Sequence, residues 1–235
     1  MAGIVMDAVS ARGPPMNETV RVPVELFFDY NCPFCYVASE RLDRIARHYP
    51  LAIHYRFIET QPGNPAYGSM VDTADASADG NPTDGALRVL IEHDQLPLAD
   101  QRRVTNSRYA LLLAHTVMNQ RPGSFPDFHR AVFRRHFADG AVIGDTDVLE
   151  AVAREHGVSD LLTMAWSSTE ALQGLLADVE SAQRRNLTSV PSLVVGERAF
   201  SGAVSVVTLE TALAKQARTS DTDGAQSDAE PRHSD

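Results

Sequence analysis

Leu26-Phe27-Phe28-Asp29-Tyr30-Asn31-Cys32-Pro33-Phe34-Cys35-Tyr36 is the stretch where an apolar run gives way to a helical pattern, and it holds the only two cysteines of the 235-residue chain. Two intervening residues put the cysteines at i and i+3, on one face of a first helical turn and within the Cα separation that a disulfide tolerates. The pair can therefore open and close with little backbone movement. Pro33 suits the first helical position, where a missing N–H costs nothing, and the free amides of that helix end point back towards Cys32. Their partial positive charge stabilises a thiolate. Cys32 thus reads as the exposed, attacking sulfur and Cys35, one turn inside, as the resolving one. Two plainer readings stand beside this. CxxC can be half of a zinc site, against which the chain offers no second cysteine pair and no HxxxH-type spacing among its eight histidines. It can also be a structural pair of buried cysteines.

Upstream, Val22, Val24, Leu26 and Phe28 alternate and predict a strand, with Pro23 tolerable only near its start. Downstream, Ala38, Leu42, Ile45, Ala46 and Tyr49 follow helical spacing up to Pro50. Leu51, Ile53, Tyr55 and Phe57 alternate again. Together these make a βαβ unit with parallel strands. A helix that delivers CxxC from the end of the first strand is the thioredoxin arrangement.

Residues 61 to 83, rich in Pro, Gly, Asp, Ala and Ser, read as a long loop, either a lid or a disordered connection. Helical stripes follow: Ala86, Leu87, Leu90 and Ile91; Tyr109, Leu112, Leu113 and Thr116; Phe125, Phe128, Val132 and Phe133; Val148, Leu149 and Val152. Ser167 and Glu170 read as a capping box that opens a helix with Leu172, Leu175, Leu176 and Val179 inward. His93, His115, His129 and His136 read as surface or satisfied core residues rather than catalysts. Ser192 to Val195, a Gly196-Glu197 turn and Arg198 to Ser201 predict an antiparallel hairpin, and Val206, Leu209 and Leu213 a last helix.

Composition narrows the function classes. A net charge of −10 and isolated Arg-Arg pairs at 102–103, 134–135 and 184–185, read as solvated helix faces, argue against a nucleic-acid partner. No run approaches the roughly 18 consecutive apolar residues of a spanning helix. Ala2 to Val9, interrupted by Asp7 and without a basic flank, is a poor secretory signal. These features predict a cytoplasmic protein that binds no membrane. There thiols are kept reduced, so a lone CxxC fits turnover better than stapling.

The Phe-Asp-Tyr-Asn-Cys-Pro-Phe-Cys-Tyr stretch, a helical block inserted after the second strand, and Thr188-Ser189-Val190-Pro191-Ser192-Leu193 resemble the DsbA-like thioredoxin family. The likeness is to its cytosolic FrnE-type branch, related to 2-hydroxychromene-2-carboxylate isomerase. Within the block, Thr105 to Ala110, Phe128 to Phe133 and Asp145 to Leu149 resemble that branch's helices. The likeness spans roughly residues 22 to 217. It implies an α/β thioredoxin fold with a large all-helical insertion. The expected organisation is a flexible leader over 1–20, a thioredoxin-fold domain from 21–60 and 187–217, a loop and inserted helical domain over 61–186, and a disordered acidic tail over 218–235.

The resemblance further implies that Pro191 is the cis-proline of this fold, with Val190 pairing to an extended substrate segment beside Pro33 and Phe34. It implies no metal and no bound cofactor, with glutathione or another small thiol as a possible co-substrate, and thiol- or disulfide-containing proteins or small thiols as partners. One departure stands out: the buried acid often found six residues before the first cysteine is here Leu26, while Glu25 and Asp29 are expected on the opposite face. The resulting expectation is a thiol-disulfide oxidoreductase working through Cys32 and Cys35. Its rivals are a glutathione-dependent isomerase or transferase of the same fold, and a non-catalytic peptide-binding, chaperone or redox-sensor module.

Overall fold

The computed structural model describes residues 21–72 and 82–227. The expected leader over 1–20, the middle of the predicted loop (73–81) and residues 228–235 lie outside the described residues. In chain order the elements are β1 (Val22–Phe28), α1 (Pro33–Ala46), β2 (Leu51–Phe57), β3 (Ser69–Asp72), α2 (Pro82–Asp94), β4 (Gln101–Val104), α3 (Arg108–Gln120), α4 (Phe125–Phe137), α5 (Thr146–Glu155), α6 (Leu162–Ser167), α7 (Thr169–Arg184), β5 (Ser192–Val195), β6 (Arg198–Ser201) and α8 (Val206–Ser227).

The main sheet runs β2-β1-β5-β6. β1 pairs parallel with β2, from Val22 opposite Leu51 to Phe28 opposite Phe57, and antiparallel with β5. β5 and β6 form the expected hairpin, in which Gly196 takes φ +59, a value that its missing Cβ permits at low cost. β1 is central: Val24, Leu26, Phe27 and Phe28 are all buried, so both of its faces are covered. α1 and α8 contact one another and α7 contacts β2, while α3 to α6 pack among themselves as the insertion. This is a thioredoxin fold with a large, mainly helical insertion between β2 and β5.

The seam between sheet and insertion is aromatic. His129 of α4 sits among Phe28, Tyr55, Phe125 and Phe133, with ring centroids 4.7 to 5.4 Å away. Its two ring nitrogens face the Tyr30 hydroxyl at 2.8 Å and Ser39 Oγ at 2.9 Å. Every polar atom of the ring is thus partnered, as a buried imidazole requires. His129 is a satisfied core histidine.

Several local expectations are corrected. Residues 69–72 form a strand paired antiparallel with 101–104, so the loop expected over 61–83 contains β3, and Arg102-Arg103 lies on a strand rather than a helix face. The pairing was hidden because Gln-Arg-Arg-Val carries no apolar alternation. The cap of α7 is Ser168, whose Oγ accepts from Glu170 N; the hydroxyl of Ser167 donates instead to Thr163 O in α6. Leu172 and Leu176 face outward, 41% and 56% exposed, because the covered face of α7 is Ala171, Leu175 and Asp178. Tyr109 is also exposed. The last helix runs on to Ser227, past the start of the tail expected from 218, since extending a nucleated helix costs less than starting one.

Candidate active site

β1 ends at Phe28, and the next three residues form a turn held from within. Asp29 Oδ1 accepts the Asn31 amide at 3.0 Å, and the Asp29 carbonyl accepts the Cys32 amide at 3.1 Å. Oδ2 of the same carboxylate accepts both the amide and the hydroxyl of Thr60, at 2.8 and 2.6 Å, from the segment just beyond β2. This fixes the direction in which the chain enters α1. Cys32 is the N-cap, with Pro33 at the first helical position, and the Cys35 and Tyr36 amides return to the Cys32 carbonyl at 3.0 and 3.2 Å. Cys32 is half-buried and Cys35 has no exposure; both are free thiols.

The two sulfurs are electrostatically unlike. A hydrogen bond from the Cys35 thiol, with lesser help from the Cys35 and Phe34 amides, holds the Cys32 thiol below its ordinary range despite its partial burial. Burial pushes the Cys35 thiol well up, and a thiolate on Cys32 pushes it further. The Asp29 charge acts upward on both. The arrangement therefore favours a thiolate on the accessible sulfur and a protonated reserve behind it, which is the asymmetry that a nucleophile and a resolving thiol need.

From 158 residues away, the Val190 carbonyl lies 3.6 Å from Cys32 Sγ. The Val190–Pro191 bond is cis. The Pro191 carbonyl is occupied by the Gly202 amide at 2.8 Å, and Ser192 Oγ binds the Ser189 carbonyl at 2.7 Å, so the loop is braced by its own hairpin. Cys32, Cys35 and Val190-Pro191 are thus brought together, with Pro33 and Phe34 half-buried alongside Cys32.

The sequence did not reveal how this turn is anchored. Asp29 is fully buried, although strand alternation placed it on the face opposite Leu26; the strand ends at Phe28, and alternation no longer governs the next residue. A carboxylate does therefore lie buried beside the thiols, three positions before Cys32 rather than six. Asn31 forms a reciprocal pair with the Thr105 backbone: its Nδ2 donates to the Thr105 carbonyl and its Oδ1 accepts the Thr105 amide at 3.1 Å. That pair fastens the residue next to Cys32 to the loop joining β4 to α3. The Asp-x-Asn spacing just after an apolar strand was the available signal, since both side chains readily bond nearby backbone.

A βαβ–ββα sheet with a CxxC helix facing the Val190-Pro191 loop defines the thioredoxin-fold class. Within it, the chain belongs to the DSBA-like thioredoxin domain family, whose model matches residues 23–214. No curated protein matches the sequence. Among solved structures, the chain is similar to a "probable DsbA oxidoreductase" from Streptomyces coelicolor, with 22% identity over 83% of this chain and 90% of that one, at a TM-score of 0.67. It is similar to a 2-hydroxychromene-2-carboxylate isomerase at 18% identity, covering 85% and 98% of the two chains with a TM-score of 0.66. The catalytic domain of Proteus mirabilis ScsC shares 19% identity, with 85% of each chain covered and a TM-score of 0.55. At these identities the likenesses establish the fold.

Proposed function

We propose that the protein is a thiol-disulfide oxidoreductase of the FrnE-type branch, acting through Cys32 and Cys35 on disulfides of proteins or small thiols in a reducing cytoplasm. The observation that carries the reading is the pairing of a half-buried Cys32, 3.6 Å from the Val190 carbonyl, with a fully buried Cys35 one turn inside the helix. The Cys32 thiolate attacks one sulfur of the substrate disulfide; that S–S bond breaks, and the departing sulfur leaves as a thiolate that takes a proton from water. Cys35 then attacks Cys32 Sγ, its proton passing to the second substrate sulfur as that sulfur leaves. The mixed disulfide breaks, the second substrate sulfur leaves, and two electrons have passed from the dithiol to the substrate. Two molecules of a small thiol such as glutathione, oxidised together to one disulfide, return the enzyme to the dithiol. Val190 and Pro191, with Pro33 and Phe34, form the surface against which an extended substrate segment lies during attack.

The test is reduction of insulin and of dithiodiethanol by the wild type, Cys32→Ser and Cys35→Ser proteins. The reading requires turnover by the wild type, none by Cys32→Ser, and accumulated mixed disulfide on Cys35→Ser. Glutathione-dependent isomerisation that survives Cys35→Ser, without disulfide turnover, would replace it with the isomerase reading.

A further inference from the structure

A partly open cavity of about 160 Å³ lies beside the Val190 loop, lined by Phe27, Ile58, Val179, Ala182, Leu187 and Val190, with Thr60, Gln183, Thr188 and Ser189 at its polar positions. It lies on the α7 side of the sheet. Val190 belongs to both places: its carbonyl meets Cys32 Sγ, and the same residue lines the cavity. Thr60 likewise holds the Asp29 carboxylate and lines the cavity. The cavity therefore adjoins the candidate active site through these two residues. Nothing in the disulfide exchange itself uses it.

We infer that this cavity is a side-chain subsite that takes one aliphatic or benzyl side chain from the peptide segment whose cysteine Cys32 attacks. The inference rests on the oxidoreductase reading and names the class of substrate it prefers. Size supports it: an apolar cavity of about 150 Å³ accommodates a benzene-sized group. Charge supports it too, because none of the lining residues is Asp, Glu, Lys or Arg. A glutathionyl group, with two carboxylates and an amine, would find no counter-charge in the lining, whereas a leucine or phenylalanine side chain would bury apolar surface against Phe27, Ile58 and Leu187. Reach follows from strand geometry. In an extended segment residues i and i+2 point the same way, about 7 Å apart, so a side chain close to the cysteine can enter while the sulfur is presented to Cys32.

The experiment measures kcat/KM for a set of peptides, each a mixed disulfide with a small fluorescent thiol, carrying Leu, Ala or Asp two residues to either side of the cysteine. Dithiodiethanol, which has no side chain, is run in parallel on the wild type. The expected result is a Leu-over-Asp preference of about tenfold or more on one side of the cysteine, the scale on which apolar pockets discriminate. Ala182→Phe fills the cavity and is expected to reduce that preference to within about threefold. Gln183→Lys, at an exposed position and so safe for folding, is expected to shift the preference towards Asp. Equal rates for all flanks in the wild type, or a Leu preference untouched by both variants, would overturn the subsite. Failure to reduce dithiodiethanol would instead overturn the oxidoreductase reading beneath it.

Discussion

Cys32 Sγ and the Val190 carbonyl oxygen stand 3.6 Å apart although 158 residues separate them, so the sulfur that begins α1 is met by the loop that begins β5. A thiol donates to that carbonyl, while a thiolate there is supported instead by the Cys35 thiol and the Cys35 and Phe34 amides. The two cysteines should consequently differ sharply in reactivity. Iodoacetamide at neutral pH is expected to modify Cys32 in the folded, reduced protein and to spare Cys35, with both modified after denaturation. Mass mapping of the two alkylated positions checks this.

Removing the Asp29 charge should move both thiols in one direction. The carboxylate acts upward on each sulfur, so Asp29→Asn is expected to shift the pH dependence of thiolate absorbance and of Cys32 alkylation to lower pH. An amide also replaces one accepting oxygen by a donor opposite Thr60 or the Asn31 amide. That mismatch should cost about 1–3 kcal/mol of stability, read from urea unfolding.

His129 makes stability sensitive to acid. Burial brings it down to about 3, so the folded protein keeps it neutral where the unfolded chain, titrating near 6.5, takes up a proton. The contribution is complete above about pH 6.5 and falls by up to about 1.4 kcal/mol per pH unit as the pH drops towards 3. His129→Phe should abolish this component of the slope. At neutral pH it should cost about 1–3 kcal/mol for each hydroxyl left unpaired, those of Tyr30 and Ser39. Denaturant midpoints between pH 4 and 7 measure both effects.

The helix that carries the cysteines is anchored at its middle by a buried ion pair. Arg41 Nε donates to Asp94 Oδ2 at 2.6 Å, and its Nη1 reaches the Ala203 and Val204 carbonyls at 2.7 and 2.9 Å. Burial alone would raise the Asp94 carboxyl, but hydrogen bonds from Arg41 and His93 reverse this and hold it below its ordinary value. Its stabilisation is present above the unfolded-chain value and is lost as the pH falls through the folded one. Arg41→Met strands that carboxylate, and a loss of about 3–5 kcal/mol in urea unfolding at neutral pH is expected.

Asn31→Ala separates the cysteine turn from the β4–α3 loop. It leaves the Thr105 amide and carbonyl without their partner, at a cost of about 1–3 kcal/mol. Hydrogen exchange at the Thr105 amide should accelerate while exchange in β1 stays slow.

Much of this arrangement was legible because it follows from period and spacing. The alternation of Val22 to Phe28 and Leu51 to Phe57, the i, i+3 cysteines and the Gly196 turn each encode one local geometry, and the structure has each of them. Hydrophobic periodicity failed where a covered face is polar. Asp178 holds the inner side of α7 by accepting the Phe57 amide at 2.9 Å and Arg56 at 3.2 Å, which turns Leu172 and Leu176 outward. It failed again at Gln101 to Val104, whose strand identity comes only from pairing with residues about thirty positions earlier. The Asp-x-Asn spacing signals the local turn, but the partners that anchor it were hidden for a related reason: Asp29 and Asn31 bond to Thr60 and Thr105, distant in sequence.

The most direct test of the central claim is a redox titration of the full chain against glutathione buffers, scored by mass for the Cys32–Cys35 disulfide. A single reversible two-electron transition, absent from both Cys32→Ser and Cys35→Ser, is the predicted result. A dithiol that stays reduced under oxidising buffers, or that stops at glutathionylated Cys32 without closing onto Cys35, would contradict it.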